Sequence, residues 1–170
     1  MKDDIKKITL LFSIIVFLAV VFWIFSLFVP KGLQSFLPSE VDGLMLHRVA
    51  GKDESMATTV RSHQGEIKDV DDMVIGYYDG GLSIWITKYS ESKVVNKETL
   101  KMIEAMKKFG EGFEKLGSVN IKGVKIYITF PGGVKQYFWS QGKLMVYMIP
   151  GTLSESMSRE LISDLINNLR

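Results

Sequence analysis

Apolar positions along the chain follow two patterns. Over residues 8–29 they are continuous, and only Thr9, Ser13 and Ser26 interrupt the run of 22 residues. A helix of that length rises about 33 Å, close to the roughly 30 Å hydrocarbon core of a bilayer. The run therefore predicts a transmembrane helix, and its 22 residues with no small-residue cleavage site at the end argue against a removed signal peptide. Beyond it the apolar residues become periodic, as a water-soluble core requires.

Period two marks the strands. Strands are predicted at 44–49, 73–78, 82–89, 124–130, 134–139 and 144–149, with Asp79-Gly80-Gly81, Pro131-Gly132-Gly133 and Ser140-Gln141-Gly142-Lys143 as tight turns between them. In the third strand Leu82, Ile84 and Ile86 share one face and Ser83, Trp85, Thr87 and Tyr89 the other. Residues 144–149 are apolar throughout, the mark of a central strand. Spacings of three and four mark the helices. Leu100, Ile103, Met106, Phe109 and Phe113 form one stripe, with Asn96 as its N-cap. Met157, Leu161, Ile162, Leu165, Ile166 and Leu169 form another, behind a capping box of Thr152 and Glu155. A weak stripe over 53–63, at Met56, Ala57 and Val60, predicts a short helix or a loop.

Tight turns force antiparallel pairing, so the predicted fold is α+β: an N-terminal transmembrane helix, then an antiparallel sheet of about five to six strands with helices packed on it, and an α/β/α sandwich if helices cover both faces. The boundaries are a cytoplasmic N-terminus at 1–7, the membrane helix at 8–29, a Pro- and Gly-containing spacer at 30–43 and an extracytoplasmic domain at 44–170. Over 44–169 the element order resembles that of PsbP-like domains and of several small extracytoplasmic prokaryotic domains of unassigned function. The resemblance implies a fold and a non-enzymatic accessory or binding role. It rests on no motif and implies no residue roles. The hydrophobic start also bears comparison with type IV pilins, whose precursors are cut after a small residue just before the helix, where this chain has Lys6-Lys7-Ile8-Thr9.

Charge adds orientation and little else. Lys2, Lys6 and Lys7 precede the apolar run and only Lys31 and Arg48 follow closely, which places the N-terminus inside and the domain outside a cell membrane. With no cysteine and no N-x-S/T acceptor, a prokaryotic surface or periplasm is the expected location. The whole chain carries a net charge of +2 and no clustered basic stripe, which excludes nucleic acid as an expected partner.

Catalytic chemistry is hard to find in the residues. His47 and His63 lack ligand partners at zinc spacing. No serine sits in a G-x-S-x-G turn. Asp69, Asp71 and Asp72 would offer oxygen ligands to calcium, or to the metal of a hydrolase, but lack the glycine and glutamate of an EF-hand. Gly110, Gly112 and Gly117 follow a helix instead of leading into one, so they do not make a phosphate loop. The methionines fall at core spacing. No enzyme activity, cofactor or metal is therefore expected. The aromatics on predicted strands are the exception, and Tyr77, Trp85, Tyr89, Tyr137 and Trp139 form the candidate interaction surface. The expected role is a single-pass, membrane-anchored accessory or scaffold subunit of a membrane or cell-surface assembly, its partners the bilayer through 8–29 and other protein subunits. The alternative is a sensing module that binds a ligand on the aromatic face.

Overall fold

A computed structural model describes residues 15–21, 32–62, 68–108 and 116–170. The chain divides into two compact units, Met1–Lys31 and Gly32–Arg170. In the first unit the described helix runs over residues 15–21. The expected transmembrane helix is corrected here: among the described residues no helix is long and apolar enough to cross a membrane. Residues 8–14 and 22–29 of the expected span lie outside the described residues.

The second unit is α+β. Its eight strands are β1 (Glu40–Val41), β2 (Leu44–Ala50), β3 (Val70–Tyr78), β4 (Ser83–Tyr89), β5 (Gly117–Ile121), β6 (Val124–Thr129), β7 (Gln136–Gln141) and β8 (Leu144–Ile149). Its helices are α1 (Lys52–Ser62), α2 (Ser92–Lys108) and α3 (Glu155–Asn168). One antiparallel sheet carries the order β1-β2-β3-β4-β8-β7-β6-β5. Two four-stranded meanders are joined through α2, and the second runs back so that β8 lies against β4. The expected five to six strands become eight because β1 has only two residues and β5, Gly-Ser-Val-Asn-Ile, is too polar to stand out from a loop. The stretch expected as spacer belongs to this unit from Gly32 onward, since Leu33 of a 3-10 turn (Leu33–Phe36) and Leu37 just after it are buried in its core.

Cross-strand partners share a face, so the register sorts every side chain. On one face Val74, Ile84, Ile86, Val146, Met148, Trp139, Tyr137, Ile126 and Ile128 pack against Leu161, Ile162, Leu165 and Ile166 of α3. On the other, Phe138, Tyr127 and Tyr147 meet Ile103 and Met106 of α2, and Met73 accepts a hydrogen bond on Sδ from Thr59 Oγ1 of α1, 3.5 Å away. The domain is therefore a three-layer sandwich, with α3 and the 3-10 turn on one face and α1 and α2 on the other.

Two helix starts differ from expectation. The α3 N-cap is Ser154, whose Oγ accepts from Met157 N at 3.3 Å, while the Thr152 amide donates to Gly80 O. The α2 helix begins at Ser92, four residues before Asn96, and its expected stripe residue Leu100 is exposed. Phe109 and Phe113 lie outside the described residues.

Candidate functional site

The five aromatics expected to share a surface are distributed over both faces. Tyr137 and Trp139 alternate with Phe138 along β7, and their side chains point to the α3 face, where they are 1% and 0% exposed. They are core, because α3 lies directly over them. Tyr89 ends β4 and is 4% exposed; burial, with the Glu98 carboxylate of α2 adding to it, pushes its hydroxyl up to about 12. Only Tyr77 and Trp85 keep partial exposure. Tyr89, Tyr137 and Trp139 are therefore corrected from surface to core, and of the five only Tyr77 and Trp85 are reachable.

They lie beside each other on the face shared by α1 and α2. Trp85 is directly opposite Ile75 on β3 and Tyr147 on β8, and Tyr77 is opposite Ser83. A cleft of about 630 Å³ opens over them. Its apolar floor is Tyr77, Trp85 and Ile149, with Thr58 of α1 on one side and the turn Asp79-Gly80-Gly81 at one end. Gly80 and Gly81 hold positive φ values of 63° and 76°, which lets the turn close tightly without side chains in the cleft.

Hydrogen bonds and ring contacts hold the floor. Trp85 Nε1 donates to Ser83 Oγ at 3.1 Å. The Trp85 and Tyr147 rings meet edge-on, with centroids 6.2 Å apart and planes at 70°. Burial pushes the hydroxyl of Tyr147, the ring beside Trp85, up to about 12. At the rim the Arg48 guanidinium stands 5.3 Å from the Tyr77 ring centroid and pairs with Glu54. His47 Nδ1 is 3.8 Å from Asp79 Oδ1, and Asp79 Oδ2 accepts the Met45 amide at 3.2 Å. At the rim Arg48 is thus already paired with Glu54 and Asp79 holds the Met45 amide, while the floor presents mainly flat aromatic and apolar surface.

The other sequence candidates do not join this cleft. Asp72 Oδ1 accepts the Met73 amide at 2.8 Å and the Asp71 carbonyl accepts Lys52 Nζ at 2.8 Å. Among the described residues no group of three histidine or acidic side chains is placed to hold a metal ion. His63, Gly110 and Gly112 lie outside the described residues. Sequence reasoning missed Tyr147 and Ile149, which share a face of β8 with Met145 and alternate with Val146 and Met148. Their place beside Trp85 follows only once β8 is known to pair with β4. No protein-family model, curated protein or solved structure matches the chain.

Proposed function

We propose that the folded domain is a non-enzymatic docking module, an accessory or scaffold subunit that takes a protein partner at the Trp85–Tyr77 cleft. One observation carries this: of the five strand aromatics expected to share a surface, these two alone remain partly exposed, and together they floor a cleft of about 630 Å³. Large amphipathic rings that are rigid and partly desolvated are what partner residues bind most strongly. Affinity capture from native extract with the unsubstituted chain and with Trp85→Ser tests it. A partner held by the first and lost by the second is the expected result. Recovery of the chain alone, or the same partner with both baits, would sink the proposal.

A second reading is favoured by the cleft volume, which falls within the roughly 300–1,000 Å³ typical of small-molecule sites. In that case a planar apolar ligand lies on the Trp85 ring with Ser83 as its polar contact. Native mass spectrometry of the purified chain would then show a bound small molecule that Trp85→Ser lacks.

A further inference from the structure

An open eight-stranded sheet has two edges, and natural sheets blunt such edges with short strands, charges, prolines or bulges. One edge here carries all four devices. β1 has two residues, one of them Glu40, and follows Pro38. β2 behind it carries His47 and Arg48 and shifts register between Leu46 and Arg48. The opposite edge, β5, carries none of them. Gly117-Ser118-Val119-Asn120-Ile121 contains neither charge nor proline and pairs with β6 without a register shift. Among the described residues no strand pairs with its outer side.

We infer that β5 is a self-pairing edge, joining antiparallel to β5 of a second copy of this chain about a two-fold axis at Val119. Local hydrogen bonding sets the register. The two-residue turn Lys122-Gly123 makes Ile121 and Val124 the closing hydrogen-bonded pair of the β5–β6 hairpin. Alternation from there turns the amides and carbonyls of Val119 and Gly117 inward to β6 and those of Ser118 and Asn120 outward. Centring the axis on Val119 places Ser118 opposite Asn120 of the second copy, and the reverse, so every outward group on those residues finds a partner. No other centre uses both residues in mutual pairs.

Side chains agree with that register. Val119 meets its own copy across the axis, and Gly117 lies opposite Ile121. A Cβ at Gly117 would meet nothing within 4 Å, so there is room for the isoleucine. No like charges face each other within the strand, and the Arg170 guanidinium steadies the strand end by donating to Lys122 O at 3.2 Å. The axis is perpendicular to the sheet, so both α3 helices stand on one side of a continuous sheet spanning the two copies. The contact is isologous and therefore closed at two copies.

The test uses the full-length chain, which has no cysteine of its own. Val119→Cys places two thiols opposite each other in a non-hydrogen-bonded pair, where Cα atoms lie about 4.5 Å apart, within disulfide reach. With oxidised glutathione as oxidant, this variant is expected to form a covalent dimer about tenfold faster than Asn120→Cys, which faces serine, or Met45→Cys on the opposite edge. Sedimentation of the unsubstituted chain from about 5 to about 500 µM is expected to show a monomer passing to a dimer by mass action. Ser118→Pro removes an outward amide without touching the β5–β6 ladder and is expected to leave a monomer throughout, as is Ser118→Lys if the proline variant fails to fold. A monomer at every concentration, equal crosslinking at the three cysteine positions, or a dimer that survives both Ser118 variants would each overturn the inference.

Discussion

The two faces of the sheet have the same strands behind them and finish differently. On the α3 face the helix and the N-terminal 3-10 turn leave a gap between them that large side chains close: Tyr78 reaches across and donates to Pro38 O at 2.8 Å, and Leu37 packs beside it. On the opposite face α1 sits over β2 and β3 and α2 over β7 and β8, and among the described residues Trp85 of β4 stays partly exposed between them. A helix is about 10–12 Å wide and strands are about 4.8 Å apart, so two helices cover four or five strands of eight. Uncovered aromatic surface at the centre of a sheet follows from that arithmetic. The difference separates aromatics that hold the fold from aromatics that remain available.

Removing an aromatic from each face should widen that contrast. Trp139 is fully buried under α3, and Trp139→Ala is expected to cost about 3–5 kcal/mol in chemical unfolding, the range for a large core aromatic. Among the described residues its Nε1 has no hydrogen-bond partner, so Trp139→Phe should cost much less than the lost ring volume suggests.

Alkali is the next largest perturbation, and it acts on both faces. Tyr89 and Tyr147 are raised by burial to about 12, and Tyr78 and Tyr137 are raised as well. A raised folded value means the protein binds protons more tightly when folded, so this contribution is complete below the ordinary tyrosine value of 10.0. It is lost as pH rises from there toward 12. Unfolding midpoints in urea should fall steeply over that window, and Tyr147→Phe should make the fall shallower.

Acid probes the α3 face more gently. Glu155 is lowered to about 2, chiefly by the hydrogen bond from Lys135, with Arg159 and Tyr137 also donating to it. A lowered folded value contributes stability that is present above the ordinary glutamate value of 4.5 and is lost as pH falls toward 2. The Glu155 side chain is 44% exposed, so solvent screens much of the effect. Glu155→Gln should flatten the urea midpoint between those pH values and change it little at pH 7 beyond the loss of the ion pair.

The smallest expected stability effect is at the cleft. Trp85→Ala removes a partly exposed ring and should cost about 1 kcal/mol or less, while abolishing partner capture. If Trp85→Ala instead destabilises the domain as much as Trp139→Ala, the contrast between the faces fails and Trp85 is a core residue.

Much of this architecture was legible in the chain. Alternation in 82–89 and 124–130 and the turns at Asp79-Gly80-Gly81 and Pro131-Gly132-Gly133 are local, because strand pleat and turn sterics act within a few residues. The stripe of α3 is local for the same reason. Continuous apolarity at 144–149 correctly located a central strand. Polarity concealed β5, whose outward residues face solvent at an edge, and brevity concealed β1. The continuous run at 8–29 suggested a crossing that the described helix does not supply. At the candidate site Tyr77 and Trp85 were legible, and Tyr147 and Ile149 were not.

The sequence by itself determined which segments become strands and helices and which of their faces are apolar, since those depend on periodicity and turn chemistry close along the chain. The tertiary structure alone decided which apolar face each helix covers. It put β8 against β4, buried Tyr137 and Trp139 beneath α3 and left Trp85 open between two helices. The reason is that pairing and layer packing join residues tens of positions apart, where every aromatic on a strand looks alike until its cover is known.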